Sequence, residues 1–135
     1  TEKAWELCEK YKLPRMFFVS EMDVDHASFR AVVERLTELY GKKIAPFYQP
    51  IRENEKFVGY INVMKMAGRR FTGIGTREEC DIPDYCRDNL DICREAMMDA
   101  VAETSEEFMD RYFAGEEFSV TEISAALSSH DLQCE

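Results

Sequence analysis

The sequence predicts a mixed α/β (α+β) chain: a helix–strand–helix piece, then a small antiparallel sheet packed with about three helices. Three observations carry that expectation. The run Met16-Phe17-Phe18-Val19 is an unbroken stretch of bulky apolar residues, the mark of a strand covered on both faces in a parallel sheet. After Lys43 the apolar period changes to two. After Pro83 it returns to helical spacing.

Taken in order, Ala4, Trp5, Leu7, Cys8 and Tyr11 share a helical stripe that stops near Lys12-Leu13-Pro14, because the residue before a proline is pushed out of the α region. The apolar strand follows and opens into a polar loop around Asp23-Val24-Asp25-His26. Phe29, Val32, Val33, Leu36, Leu39 and Tyr40 then form a second helical stripe, with Gly41 as its left-handed cap. Residues 44–51 and 57–66 read as strands joined by the polar turn Arg52-Glu53-Asn54-Glu55-Lys56. Pro46 and Pro50 place the first of them at a sheet edge, where a missing N–H is tolerated. A further strand is expected over residues 69–72. Gly73-Ile74-Gly75-Thr76 is a simple loop, since a bare G-x-G lacks the lysine and hydroxyl residue of a phosphate-binding loop. Pro83 suits the first turn of a helix on which Leu90, Cys93, Met97, Ala100 and Val101 share a face. Thr104 with Glu107, and Ser119 with Glu122, fit the capping box, so two more helices begin there, the first closed by Gly115.

At 135 residues the chain is long enough for one domain or two small lobes sharing a core. No signal-like stretch and no run of about 18 apolar residues occurs, so secretion and membrane insertion lack support and a cytoplasmic protein is expected. The five cysteines, Cys8, Cys80, Cys86, Cys93 and Cys134, contain no close pair and read as reduced, packed thiols. A zinc site from Cys80, Cys86 and Cys93 would need the closely spaced ligand pairs that are absent.

The net charge of −10 is unevenly spread. Residues 78–135 hold 17 acidic and 3 basic side chains, net −14, against 10 acidic and 14 basic in residues 1–77, net +4. A lobe so negative is repelled by phosphate backbones, which excludes direct nucleic-acid binding by the acidic part and favours a basic protein partner or plain solvation.

The loop after the apolar strand carries the chemistry. Ligands of parallel sheets gather at the strands' carboxyl ends. An Asp held there, such as Asp23, can accept two hydrogen bonds from the adjacent N–H groups of a guanine edge, each worth about 1.5–3 kcal/mol net, a donor pair that adenine does not offer. With this loop the chain resembles a known family. Thr1-Glu2-Lys3-Ala4-Trp5, Lys10-Tyr11, Pro14-Arg15, Met22-Asp23, Gln49-Pro50-Ile51, Phe57 with Gly59, Met64-Lys65, Ile82-Pro83, Ala100-Val101-Ala102-Glu103-Thr104, Gly115-Glu116-Glu117 and Ala125-Ala126-Leu127 resemble the middle of the GTPase domain of bacterial elongation factor G. In that family the base motif is Asn-Lys-x-Asp; here Ser20 and Glu21 stand in the places of Asn and Lys, so the guanine loop Ser20, Glu21, Asp23 is degenerate.

The resemblance implies a partial P-loop-GTPase-like piece over residues 1–42, the family's inserted subdomain over 43–129, and a tail, 130–135, leading back to the GTPase domain. It implies GTP or GDP with magnesium in a longer protein whose phosphate-binding parts precede these residues, no nucleotide bound to these residues alone, and no GTPase activity of their own. It implies a role in ribosomal translocation, the acidic helical side meeting a ribosomal stalk protein. Asp99, Glu103, Glu106, Glu107 and Asp110 are the candidate contact residues.

Two other classes stay open on the residues themselves. Asp23, Asp25 and His26 could form an oxygen-rich site for magnesium or manganese, although no second carboxylate cluster with recognisable spacing accompanies them. Met97, Met98, Phe108, Met109 and Phe113 could instead line a groove for a protein partner, with no ligand involved. Finally, an apolar strand at residues 16–19 without its sheet neighbours invites strand exchange between copies.

Overall fold

A computed structural model describes residues 2–13 and 15–130, with only the backbone of residues 129 and 130. The expected tail 130–135, Cys134 and Pro14 therefore lie largely or wholly outside the described residues. Five helices and a four-stranded antiparallel sheet make up the architecture, in agreement with the mixed class that the patterning predicts.

Helix α1 (Glu2–Tyr11) ends where Lys12 turns left-handed at φ 52°. Helix α2 (Phe29–Tyr40) starts on Ser28, whose hydroxyl accepts from the Ala31 N–H at 3.3 Å, and ends at Gly41 with φ 77°, a conformation that glycine adopts without a Cβ clash. Between them residues 15–20 run without regular structure. Side chains there alternate in exposure, with Met16 82% and Phe18 91% exposed, while Phe17 stacks on Trp5 and Tyr40. The buried strand expected at residues 16–19 is thus not formed. Strand pairing needs a ladder partner for the backbone N–H and C=O groups, and no described segment pairs with these residues as a strand. What holds this region is an aromatic stack: the Trp5 ring lies 4.1 Å from Tyr40, and the Arg15 guanidinium sits 3.6 Å over its face while pairing with Glu9.

The sheet is a meander in the order β1-β2-β3-β4, with β1 Tyr48–Glu53, β2 Lys56–Asn62, β3 Ala67–Gly73 and β4 Thr76–Cys80. Strand β1 begins four residues later than the expected start at Ile44 and is an edge strand, which accommodates Pro50. The polar turn tightens to Asn54 and Glu55, both left-handed at φ 47° and 66°, as a two-residue hairpin requires. The loop at Gly73-Ile74-Gly75-Thr76 is the β3–β4 hairpin turn, with Gly75 at φ 75°. Strand β4 was not signalled by the sequence: Thr-Arg-Glu-Glu-Cys has no apolar alternation, and pairing with β3 alone makes it a strand.

One face of the sheet packs on α3 (Asp84–Ala102), whose N-cap is Pro83, one position ahead of the first turn in which the sequence places it. Ile51 and Ile61 from the sheet and Val63 from the turn after β2 meet Cys86, Leu90, Cys93, Met97 and Val101 from α3, with Phe118, Ile123 and Ala126 completing the core. Gln49, buried in this face, donates its Nε2 to the Cys86 carbonyl at 3.1 Å and so ties β1 to the start of α3. Helix α4 (Glu106–Phe113) is capped by Ser105, not Thr104, whose hydroxyl instead donates back to the Val101 carbonyl at 2.7 Å. A Schellman pair, Glu116 N–H to Arg111 carbonyl and Gly115 N–H to Tyr112 carbonyl, closes α4 around Gly115 at φ 75°. The expected Ser119–Glu122 box opens α5 (Val120–His130), with both reciprocal hydrogen bonds present.

Candidate functional site

Residues 20–23, the first half of the loop 20–27, lie on the wall of a groove of about 1320 Å³ between the N-terminal region and the lobe built on the sheet. Phe17, Val19, Val33 and Leu36 line it on one side, Pro46, Tyr48 and Tyr60 on the other, so its surface is mostly apolar. Ser20, Glu21 and Asp23 all reach this groove. Met22 is the loop's buried anchor, and Glu21 and His26 are left-handed at φ 58° and 64°. Asp23 is exposed and, among the described residues, makes no hydrogen bond or ion pair. Its carboxylate is free to accept from a ligand.

A residue that the sequence does not signal holds this loop in place. Arg52, on β1, donates Nη1 to the Ala27 carbonyl at 2.6 Å and Nη2 to the Val24 carbonyl at 3.1 Å, and Nη2 also reaches the Glu55 carbonyl at 2.5 Å. Its loop partners lie 25 and 28 residues away in sequence, beyond the reach of any local pattern.

The five acidic candidates do not form one surface. Glu103, Glu106 and Asp110 line a shallow depression of about 450 Å³ with Ala102 and Met109, where the end of α3 meets α4. Glu107 is exposed outside that lining. Asp99 is engaged internally: it accepts from the Tyr112 hydroxyl at 2.9 Å and pairs with Lys42 at 3.3 Å. The hydrogen bond to Asp99, with partial burial, pushes the Tyr112 phenol above its ordinary value. Arg111 ties α4 to the start of α5, donating to Glu116 at 2.8 Å and Glu122 at 2.9 Å with its guanidinium 5.0 Å from the Phe118 ring. Donation from the Ser119 N–H and hydroxyl, then from Arg111, brings the Glu122 carboxyl down to about 2.

Cys86 and Cys93 are packed in the α3 core, where burial pushes the Cys93 thiol up to about 11, well away from a metal-binding thiolate. Among the described residues no three histidine, cysteine, aspartate or glutamate side chains converge closely enough to hold a metal ion, and Asp23, Asp25 and His26 are no exception. No described helix is long and apolar enough to cross a membrane.

No protein-family model matches the chain. Among solved structures, a crystal structure of a Thermus thermophilus protein designated ttk003000868 is similar, with a TM-score of 0.80 and 30% identity over 97% of this chain. The chain spans 20% of the length of that protein.

Proposed function

We propose that these residues are the base-recognising edge and the inserted lobe of an elongation-factor-G-like translational GTPase, a protein of ribosomal translocation that binds GTP or GDP with magnesium. The observation that carries this proposal is the apolar segment of residues 16–19. It runs unpaired into a loop that presents a free Asp23. A side chain as apolar as Phe18, 91% exposed in the segment that leads into a carboxylate without a partner, is what a base loop presents when its neighbouring parallel strands belong to chain outside these residues. The similarity of 97% of the chain to a fifth of a longer bacterial protein supports the part of this reading that makes these residues a piece of a larger protein.

In this proposal Asp23 accepts from the guanine edge, while Ser20 and Glu21 replace the side chains that would support and cover the base. The phosphate-holding residues and the magnesium ligands lie elsewhere in the longer protein, so these residues alone hydrolyse no GTP. The depression at Glu103, Glu106 and Asp110 is the contact for a basic ribosomal protein of the stalk. Exposed pairs contribute only about 0–1 kcal/mol each, so these carboxylates steer and orient more than they bind.

Titration calorimetry of the longer protein with GDP and ADP tests the first part: GDP is expected to bind and ADP not. Micromolar GDP binding by residues 1–135 alone would contradict the division of labour. Reversing Glu103, Glu106, Glu107 and Asp110 to lysine tests the second, with ribosome association expected to slow at low salt. Unchanged association would remove the stalk contact.

A further inference from the structure

The conformation of the Asp23 loop is held poorly by its own backbone. Its two turn bonds, Val24 N–H to Glu21 carbonyl at 3.4 Å and Ala27 N–H to Val24 carbonyl at 3.3 Å, are both long for N–H donors. Glu21 and His26 occupy left-handed φ values that an L-residue keeps only when its surroundings determine them. Besides the buried Met22 side chain, those surroundings include one side chain that reaches the loop from the sheet. The Arg52 guanidinium donates to the carbonyls of Val24 and Ala27, two of the four in residues 24–27 downstream of Asp23, and to that of Glu55 in the β1–β2 turn.

Arginine suits this task because its planar fork aims several donors in fixed directions and keeps its charge, whereas lysine offers a single point. Glu55 is itself left-handed at φ 66°, so the same guanidinium that shapes the loop also braces the hairpin. Loop and sheet are therefore joined through one group.

We propose that Arg52 is a positioning residue for base recognition: it fixes the direction in which Asp23 is presented and makes that direction depend on the β1–β2 hairpin of the inserted lobe. This rests on the guanine role of Asp23 proposed above. A displacement of the hairpin, such as a partner docking on the lobe would cause, reaches the base loop through these hydrogen bonds without an intervening element. A misaimed carboxylate loses first the second of its two acceptor contacts, the one to the 2-amino group that separates guanine from hypoxanthine.

Arg52→Met keeps the apolar stem and removes the fork; Arg52→Lys keeps the charge and one donor point. Hydrogen exchange on the chain should show faster exchange at residues 24–27 in Arg52→Met, an intermediate rate in Arg52→Lys, and unchanged protection at Leu90 and Val101 in α3. In the longer protein the preference for GDP over IDP should fall about tenfold in Arg52→Met, the loss of one charge-assisted contact, with partial recovery in Arg52→Lys. Unchanged exchange at residues 24–27, or equal weakening of GDP and IDP, would overturn the positioning role. If the unsubstituted protein itself binds GDP no better than IDP, the guanine role of Asp23 fails and the positioning role with it. The exchange data then still decide, separately, whether Arg52 holds the loop.

Discussion

Helices α2 and α3 both carry apolar stripes at helical spacing, yet α3 buries seven residues and α2 buries none. The stripe of α3 meets a sheet face, Val63 of the turn after β2, and Phe118, Ile123 and Ala126. Of the α2 stripe, Val33 and Leu36 line an open groove, Phe29 touches the edge of the core and Tyr40 is covered by Trp5 and Phe17. An amphipathic pattern states only that a face requires cover; whether cover exists depends on other segments. Around residues 16–19 the shortfall is largest, because a strand needs hydrogen-bond partners as well as apolar contact. The acidic lobe is thus a closed unit, and the N-terminal region is a scaffold with one side open.

Core substitutions should separate the two regions most sharply. Ile61→Ala or Met97→Ala, each at a site with no exposed surface, should lower unfolding stability by about 2–5 kcal/mol in urea titrations, through lost transfer energy and the cavity left behind. Phe18→Ser in the open region should change it by less than about 0.5 kcal/mol. A loss comparable to the core variants would show that the open side is covered in solution.

Next in size is Gly59→Ala in β2. An added Cβ would lie 2.2 Å from the Arg69 carbonyl oxygen on β3, an overlap that backbone must relieve. The expected cost is about 1–3 kcal/mol, read from the same titrations. Gly75→Ala at the hairpin tip meets nothing within 4 Å but keeps a positive φ, so its smaller loss comes from backbone strain alone.

A pH series gives a smaller, directional effect. The Glu122 carboxyl is held down at about 2 against an ordinary 4.5, so its contribution is complete above the ordinary value and is lost as pH falls from there through about 2. The urea midpoint should drop across that window, and Glu122→Gln should flatten the acid limb. An acid limb equally steep in the variant would assign it to other carboxylates. Smallest of all, Glu34→Gln removes an exposed pair with Arg30 on α2 and should leave the midpoint within error.

The sequence made legible what is settled within one turn of chain. The stripe Leu90, Cys93, Met97, Ala100 and Val101 is the buried face of α3, and the Ser119–Glu122 box and the Gly115 cap stand where their spacing puts them. The start of α4 was legible to within one residue, because Thr104 and Ser105 are both competent caps and only the hydroxyl that meets the Phe108 N–H decides between them. Asp23 was legible as a carboxylate in a polar loop after an apolar run. Its holder was not.

By itself, then, the sequence determined the class of each helix, the edge position of the proline-bearing strand and the acidity of the C-terminal lobe, because propensity, capping and charge act between residues a few positions apart. Tertiary structure alone decided that β4 is a strand, that Asp99 turns inward to Tyr112 and Lys42, and that Arg52 grips the loop beside Asp23. It also decided that residues 16–19 stay unpaired, since partnership between distant segments is a property of the fold and leaves no periodic mark along the chain.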